Sequence, residues 1–256
     1  MDRKVKNMIL AAVAGLSVTT TAVLYAGGNA RRSRMECTGV KVAVLDSAVN
    51  RFVDRNDVRR ILDANCGSLV GVLADSARLA EVERILESKS VIRECQAYFT
   101  GDGCLNIDIS QRTPVVRFQD QSNGWYADAD GYVFPLQRSY TSMVPVVDGD
   151  FPVKVERGFK GPVEDRRQRE WLMRVVGMVE HMESNGWGRR ISQIHVSRNG
   201  EVMLVPAEGA ERFVFGQPVK VEEKFTKMEK YYRVIRRPEK KYREVDLRFD
   251  GQIVCR

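Results

Sequence analysis

Val91–Ser110, VIRECQAYFTGDGCLNIDIS, decides how this chain is read. Two β-like runs, Val91 to Thr100 and Cys104 to Ser110, flank Gly101-Asp102-Gly103, a turn signal that folds them into a hairpin. Leu105, Ile107 and Ile109 alternate strictly, so one face of the second run is core. Upstream, Leu79, Val82, Ile85 and Leu86 recur at helical spacing behind Ser76 as an N-cap candidate. Before that, Asp54 is placed to cap a helix carrying Val58, Ile61 and Leu62, which ends near Asn65-Cys66-Gly67. Val40 to Val44 alternates like a strand. The order is β-α-α-β-β, and the expected product is a three-stranded sheet with two helices on one face.

From Arg112 the rhythm changes. Short β-like runs (Val115 to Phe118, Trp125 to Asp128, Tyr132 to Pro135, Val144 to Val147) alternate with the turn signals Ser122-Asn123-Gly124 and Asp130-Gly131. A helix with the stripe Trp171, Leu172, Val175, Val179 and Met182 interrupts them and stops at Asn185-Gly186. Strands are expected at Ile191 to Ser197, Glu201 to Val205 and Arg212 to Phe215, and a last helix near Val219 to Tyr232. Two closing strands, near Tyr242 to Phe249 and Gln252 to Cys255, turn at Asp250-Gly251. The fold class is α+β, with a β-rich second domain.

Upstream of both domains, Met8 to Ala26 carries no charged side chain. As a helix it would reach roughly 28 Å, close to the thickness of a bilayer's hydrocarbon core. Two readings compete. As an anchor it leaves a basic tail, Asp2 to Lys6, on one side of the membrane. As a signal peptide it uses Arg3, Lys4 and Lys6 as its n-region, with cleavage near Ala26 to Ala30. The run is longer than a usual signal core, which favours the anchor, while Thr19 to Thr21 weaken its hydrophobicity. Residues 27–38, rich in Gly, Asn and Arg, read as a linker. The expected limits are a tail at 1–7, a span at 8–26, a linker at 27–38, a small domain at 39–111 and a β-rich domain at 112–256.

Composition narrows the function classes. The chain is 43% hydrophobic and 29% charged with a formal net charge of +7, the profile of a soluble globular protein outside the apolar run. No recognition helix, zinc knuckle or stacking-aromatic motif accompanies the positive charge, so nucleic acid is not an expected partner. Five cysteines at irregular spacing form no CxxC pair, and Cys95 reads as an inert buried thiol. Two histidines, His181 and His195, sit in elements where a surface or satisfied role is the simpler account. Asp120, Asp128 and Asp130 invite a metal or general acid, but they flank turns, where Asp binds local backbone. No HExxH, GxSxG or phosphate-cradling loop occurs. No catalytic residue, metal or cofactor is expected.

An N-terminal span followed at once by a β-α-α-β-β module resembles the FtsQ/DivIB family of bacterial cell-division proteins, in which the module is a POTRA domain. Gln111-Arg112-Thr113-Pro114, then Trp125 to Pro135 with its Asp130-Gly131 hairpin, is similar to the segment that follows the module. Val144-Pro-Val-Val-Asp-Gly149, Phe213-Val-Phe-Gly216 (the family's LxLG strand) and Tyr242 to Phe249 (its YVDLRY strand) follow in the family's order. The Asp-Gly hairpin followed by Pro-Leu, and the cysteine before the first strand, resemble the Bacteroidetes branch. The resemblance implies a non-enzymatic scaffold with one inner-membrane span, a cytoplasmic N-terminus, a periplasmic bulk and a septal address. It implies FtsB/DivIC-like and FtsL-like coiled-coil partners, with septal peptidoglycan synthase components as further neighbours. The POTRA face, with Asp54 to Asp57, is implied in septal localisation. Partner binding in the family adds a strand to the last strand, here Phe249, Asp250, Gly251, Gln252, Ile253, Val254 and Cys255, with Phe249 as hydrophobic anchor. Arg248 and Arg198 are the implied electrostatic contacts. The alternatives are a POTRA-containing envelope assembly or secretion protein, and an exported enzyme with a cleaved signal.

Overall fold

A computed structural model describes residues 35–120, 123–237 and 242–256. The apolar run expected as a span lies outside the described residues. Among those described, no helix is long and apolar enough to cross a membrane. The chain divides into two compact units, one including 53–111 and the other comprising Ala48–Phe52 and Arg112–Arg256.

In the first unit β1 (Gly39–Val44), α1 (Arg55–Cys66), α2 (Leu79–Glu87), β2 (Ile92–Phe99) and β3 (Cys104–Gln111) follow in order. The sheet order is β1-β3-β2, with β1 parallel and β2 antiparallel to β3. Asp54 caps α1, accepting from the N–H groups of Asn56 (2.7 Å) and Asp57 (2.8 Å), while Asp57 returns a bond to the Asp54 N–H at 2.9 Å. Ser76 does not cap α2. It closes a 3₁₀ turn (Ala74–Ser76), and Arg78, in a left-handed conformation, occupies the cap position without a side-chain bond. The core joins Val58, Leu62, Val82 and Leu86 to Leu105, Ile107 and Ile109, all buried. The edge of β2 is closed from α2: Glu83 accepts from the Ala97 N–H at 2.8 Å and Glu87 from the Cys95 N–H at 3.1 Å. Burial first, then these carboxylates, push the Cys95 thiol up to about 12, which makes it inert.

In the second unit a ten-stranded sheet is built from β4 (Pro114–Gln119), β5 (Gly124–Asp128), β6 (Tyr132–Pro135), β7 (Val146–Gly149), β8 (Gly161–Pro162), β9 (Ile191–Val196), β10 (Val202–Pro206), β11 (Arg212–Gly216), β12 (Glu244–Asp246) and β13 (Val254–Cys255). Their spatial order is β13-β12-β11-β10-β9-β7-β4-β5-β6-β8. Three pairings, β4 with β7, β7 with β9 and β11 with β12, are parallel. Each needs a crossover: β5 and β6 intervene between β4 and β7, α3 (Arg166–Ser184) between β7 and β9, and α4 (Val221–Lys230) between β11 and β12. The α3 stripe is buried as its spacing predicts, with Val176 and Met178 buried as well. Trp171 donates its indole N–H to the Gly200 carbonyl at 2.9 Å, so this large side chain enters the core without a stranded polar atom. The α-helical part of the last helix is shorter than expected, ending at Lys230, and a π turn, Tyr231–Ile235, carries the helical path past Tyr232.

The Asp128 carboxylate accepts from the N–H groups of Asp130 (3.1 Å) and Tyr132 (2.9 Å) and from Arg112 at 2.9 Å. It organises the β5–β6 turn. The two closing strands are much shorter than their expected limits, Glu244–Asp246 and Val254–Cys255, because Leu247 to Ile253 is given over to a longer connection.

Candidate partner-docking site

The last three strands are held together by two segments far apart in sequence. β11 runs parallel to β12 with Phe213 opposite Val245 and Val214 opposite Asp246, and the Leu247 N–H donates to the Val214 carbonyl at 3.0 Å. The strings Phe213–Gly216 and Glu244–Arg248 therefore form one local structure. Phe213, Phe215, Val245 and Leu247 are fully buried on its inner side.

Its one buried charge is Asp246, fully enclosed, with Arg248 folded back over it: Nε to Oδ1 at 3.0 Å and Nη2 to Oδ2 at 2.8 Å. The Arg248 N–H adds a bond to Oδ1 at 3.1 Å. The guanidinium holds the Asp246 carboxyl below the usual carboxylate range, against the opposing effect of burial. The stem of Arg248 lies over Gly216, where a side chain's Cβ would come within 2.6 Å of Arg248 Cγ. Gly216 also has φ of +73°, so two conditions ask for glycine at the end of β11.

After Arg248 the chain turns at Asp250-Gly251, with the Gln252 N–H closing on the Phe249 carbonyl at 3.3 Å. Two lysines of the α4 region fix this turn. Lys220 Nζ binds both Asp250 oxygens, at 2.7 and 2.6 Å, an exposed pair that lowers the carboxyl and raises the ammonium. Lys227 is buried; it donates to the Phe249 carbonyl at 2.8 Å and pairs with Glu223 at 2.7 Å. Lys224, also buried, donates to the Gln217 carbonyl at 2.7 Å, and burial lowers its ammonium. Sequence reading passed over all three. The available signal was two lysines, Lys224 and Lys227, beside the apolar stripe of Val221, Phe225 and Met228.

β13 follows, antiparallel to β12, with Val254 opposite Asp246 and Cys255 opposite Val245. Glu244 and Arg256 exchange both bonds, at 2.9 and 3.1 Å. Hydrogen-bonded and non-bonded pairs alternate along an antiparallel ladder, so Val254 also points its backbone inward and Cys255 points its N–H and C=O away from β12. Among the described residues no strand pairs with that outer side. Ile253 and the Cys255 side chain pack half-buried on the core, and burial raises the Cys255 thiol.

The expected site residues thus divide. Val254 and Cys255 form the strand. Phe249, Asp250, Gly251 and Gln252 belong to the turn, with Phe249 exposed. Ile253 connects the two. Arg248 is committed to Asp246 and, at 3.4 Å, to Glu201. Arg198 lies apart, in the β9–β10 turn, on Asp150 at 3.1 Å. The opposite edge of the sheet, β8, offers little: it is two residues long and Pro162 has no N–H to give.

His195 accepts a satisfied role, with Nδ1 2.6 Å from Asp148, whose other oxygen takes the Gln193 amide at 2.7 Å. Among the described residues no group of three or more His, Cys, Asp or Glu side chains is placed to hold a metal ion.

Comparison with known proteins gives two family matches. Residues 113–256 match the family described as FtsQ/DivIB, C-terminal related, and residues 35–110 match a POTRA-like domain. No curated protein matches the chain.

Proposed function

Because the chain belongs to the FtsQ/DivIB family, whose domains are those of cell-division scaffolds, we propose that it is a non-enzymatic, single-span protein of the division machinery. It joins FtsB/DivIC-type and FtsL-type coiled-coil proteins at the septum, with its bulk on the periplasmic side of the inner membrane. A partner strand adds to β13, completing the ladder on its open side. One observation carries this reading: β13 ends the ten-stranded sheet and turns the Cys255 N–H and C=O outward. Phe249, exposed on the adjoining turn, supplies the apolar anchor that backbone pairing lacks.

The test is Cys255→Pro. Proline removes the outward N–H but no bond to β12, and an edge position facing outward is where sheets accept it. Binding of a peptide from an FtsB/DivIC-type partner is expected to fall at least tenfold, with the circular dichroism spectrum unchanged. Unchanged affinity in a folded Cys255→Pro variant would remove edge pairing from consideration. Septal localisation of a fluorescent fusion tests the division role separately. Ile253→Lys is a poor probe, since Ile253 packs on the core. Phe249→Ala is the cleaner side-chain variant.

A further inference from the structure

The first unit carries an apolar loop that its fold does not use. Gly67-Ser-Leu-Val-Gly-Val-Leu73 joins α1 to the 3₁₀ turn without a charged residue. Leu69 is buried beneath it, but Val70 is 55% and Leu73 42% exposed. The loop is not loose. The Cys37 N–H donates to the Val72 carbonyl and the Gly71 N–H to the Cys37 carbonyl, both at 2.9 Å, and the Ala74 N–H reaches the Met35 carbonyl at 2.8 Å. Glu36 and Leu73 form an antiparallel bridge. The two side chains are therefore held in solvent by backbone bonds to the very residues with which the chain comes into this unit.

That placement identifies what covers them. Eight residues, Gly27 to Arg34, separate the end of the apolar run at Ala26 from Met35. Whatever its conformation, a chain of that length cannot span more than about 29 Å. The end of the unit marked by Met35, Leu73 and the start of β1 is thus the end tethered close to the bilayer. Asp102 is at this end, its carbonyl accepting from the Thr38 hydroxyl at 3.3 Å, and Glu36 and Asp75 border the same backbone bonds, so an anionic lipid surface gains little there. Two large apolar side chains, three residues apart on a fixed loop, match the boundary between headgroups and acyl chains.

We propose that the loop Ser68–Leu73 rests on the membrane surface, with Val70 and Leu73 seated at the headgroup–acyl boundary. The contact is apolar and needs no anionic lipid. It rests on the single-span reading given above, and the experiment separates the two. Full-length chain carrying Val70→Trp, Leu73→Trp or Leu45→Trp is reconstituted in phosphatidylcholine vesicles with plain or brominated acyl chains. Leu45, exposed at the far end of β1, serves as the reference. The native tryptophans 125, 171 and 187 are buried and give a constant background. The added emission at positions 70 and 73 is expected to be blue-shifted and quenched by bromine, and that at 45 to be neither. Protein that survives an alkaline wash yet shows no quenching at 70 or 73, or equal quenching at 45, overturns the loop contact and leaves the span standing. Protein removed by the wash overturns both.

Discussion

Gly216 and Gly251 make the sharpest pair of residue-scale tests, because both have positive φ and only one is crowded. At Gly251 (φ +69°) a Cβ would meet nothing within 4 Å, so Gly251→Ala carries backbone strain alone, about 1 kcal/mol. At Gly216 the same strain adds to displacing Arg248 from Asp246, and Gly216→Ala is expected to cost about 2–3 kcal/mol. Denaturant midpoints of the two variants rank them; equal midpoints would mean that Arg248 is not held against Gly216. The same ion pair sets an acid limit. Asp246 has a folded pKa below its unfolded value, so its contribution is fully present above the unfolded value of about 3.9. It is lost as pH falls through the lowered folded value. Asp246→Asn should therefore be less stable than the parent at neutral pH, by roughly 2 kcal/mol for a charge-assisted contact whose arginine side is partly exposed, with the gap narrowing below about pH 4. Urea titrations across that range would show it, and a gap that widened on acidification would reverse the sign. Arg198 is different. Its side chain is 93% exposed and held by Asp150, so Arg198→Ala should alter the association rate and its salt dependence while leaving partner affinity within tenfold.

At the scale of elements, what could be read from sequence was what neighbours in sequence determine. Gly101-Asp102-Gly103 closes the β2–β3 hairpin, and Asp54 caps α1, because turn and cap chemistry act over three or four residues. Ser76 had the right residue type and failed as a cap because the 3₁₀ turn uses those residues first. The pairing of β11 with β12 could not be read: it brings Phe213 to Val245 across a helix, and no local pattern fixes a parallel register at that distance. For the same reason the lengths of the closing strands were overestimated, and nothing local marked Lys224 and Lys227 as the buried clasps they form on the loops beside their helix. The glutamates of α2 were equally opaque, since their acceptors' role appears only once β2 lies alongside. Glu83→Ala should leave the buried Ala97 N–H without its carboxylate, destabilising the first unit by roughly 1–3 kcal/mol. It should also open the β2 edge to pairing with other chains. Hydrogen exchange at Ala97 measures the first effect and concentration-dependent light scattering the second. Protection at Ala97 equal to the parent's would show that the glutamate does not close that edge.

For the whole molecule, the arrangement separates address from recognition. In the proposed role the apolar run at 8–26 would fix the protein to a membrane and the docking strand would be residues 254–255, and backbone pairing over so short a strand is weak on its own. Weak edge pairing becomes useful when both partners are confined to one membrane, because the second contact is then made at a high effective concentration. Linking two contacts in this way raises apparent affinity by about 10²–10⁴ without any new interaction. The prediction is a comparison of the full chain with a variant lacking residues 1–26, each against the same FtsB/DivIC-type partner presented as a free peptide or anchored in vesicles. Both forms should bind the free peptide equally, since β13 and its supports are common to them. Against the anchored partner in shared vesicles, the full chain should bind more tightly by about two orders of magnitude or more, and the shortened form should not. Equal binding in the shared membrane would mean that the span adds no confinement, and the strength of the assembly would then have to reside in contacts beyond the β13 edge.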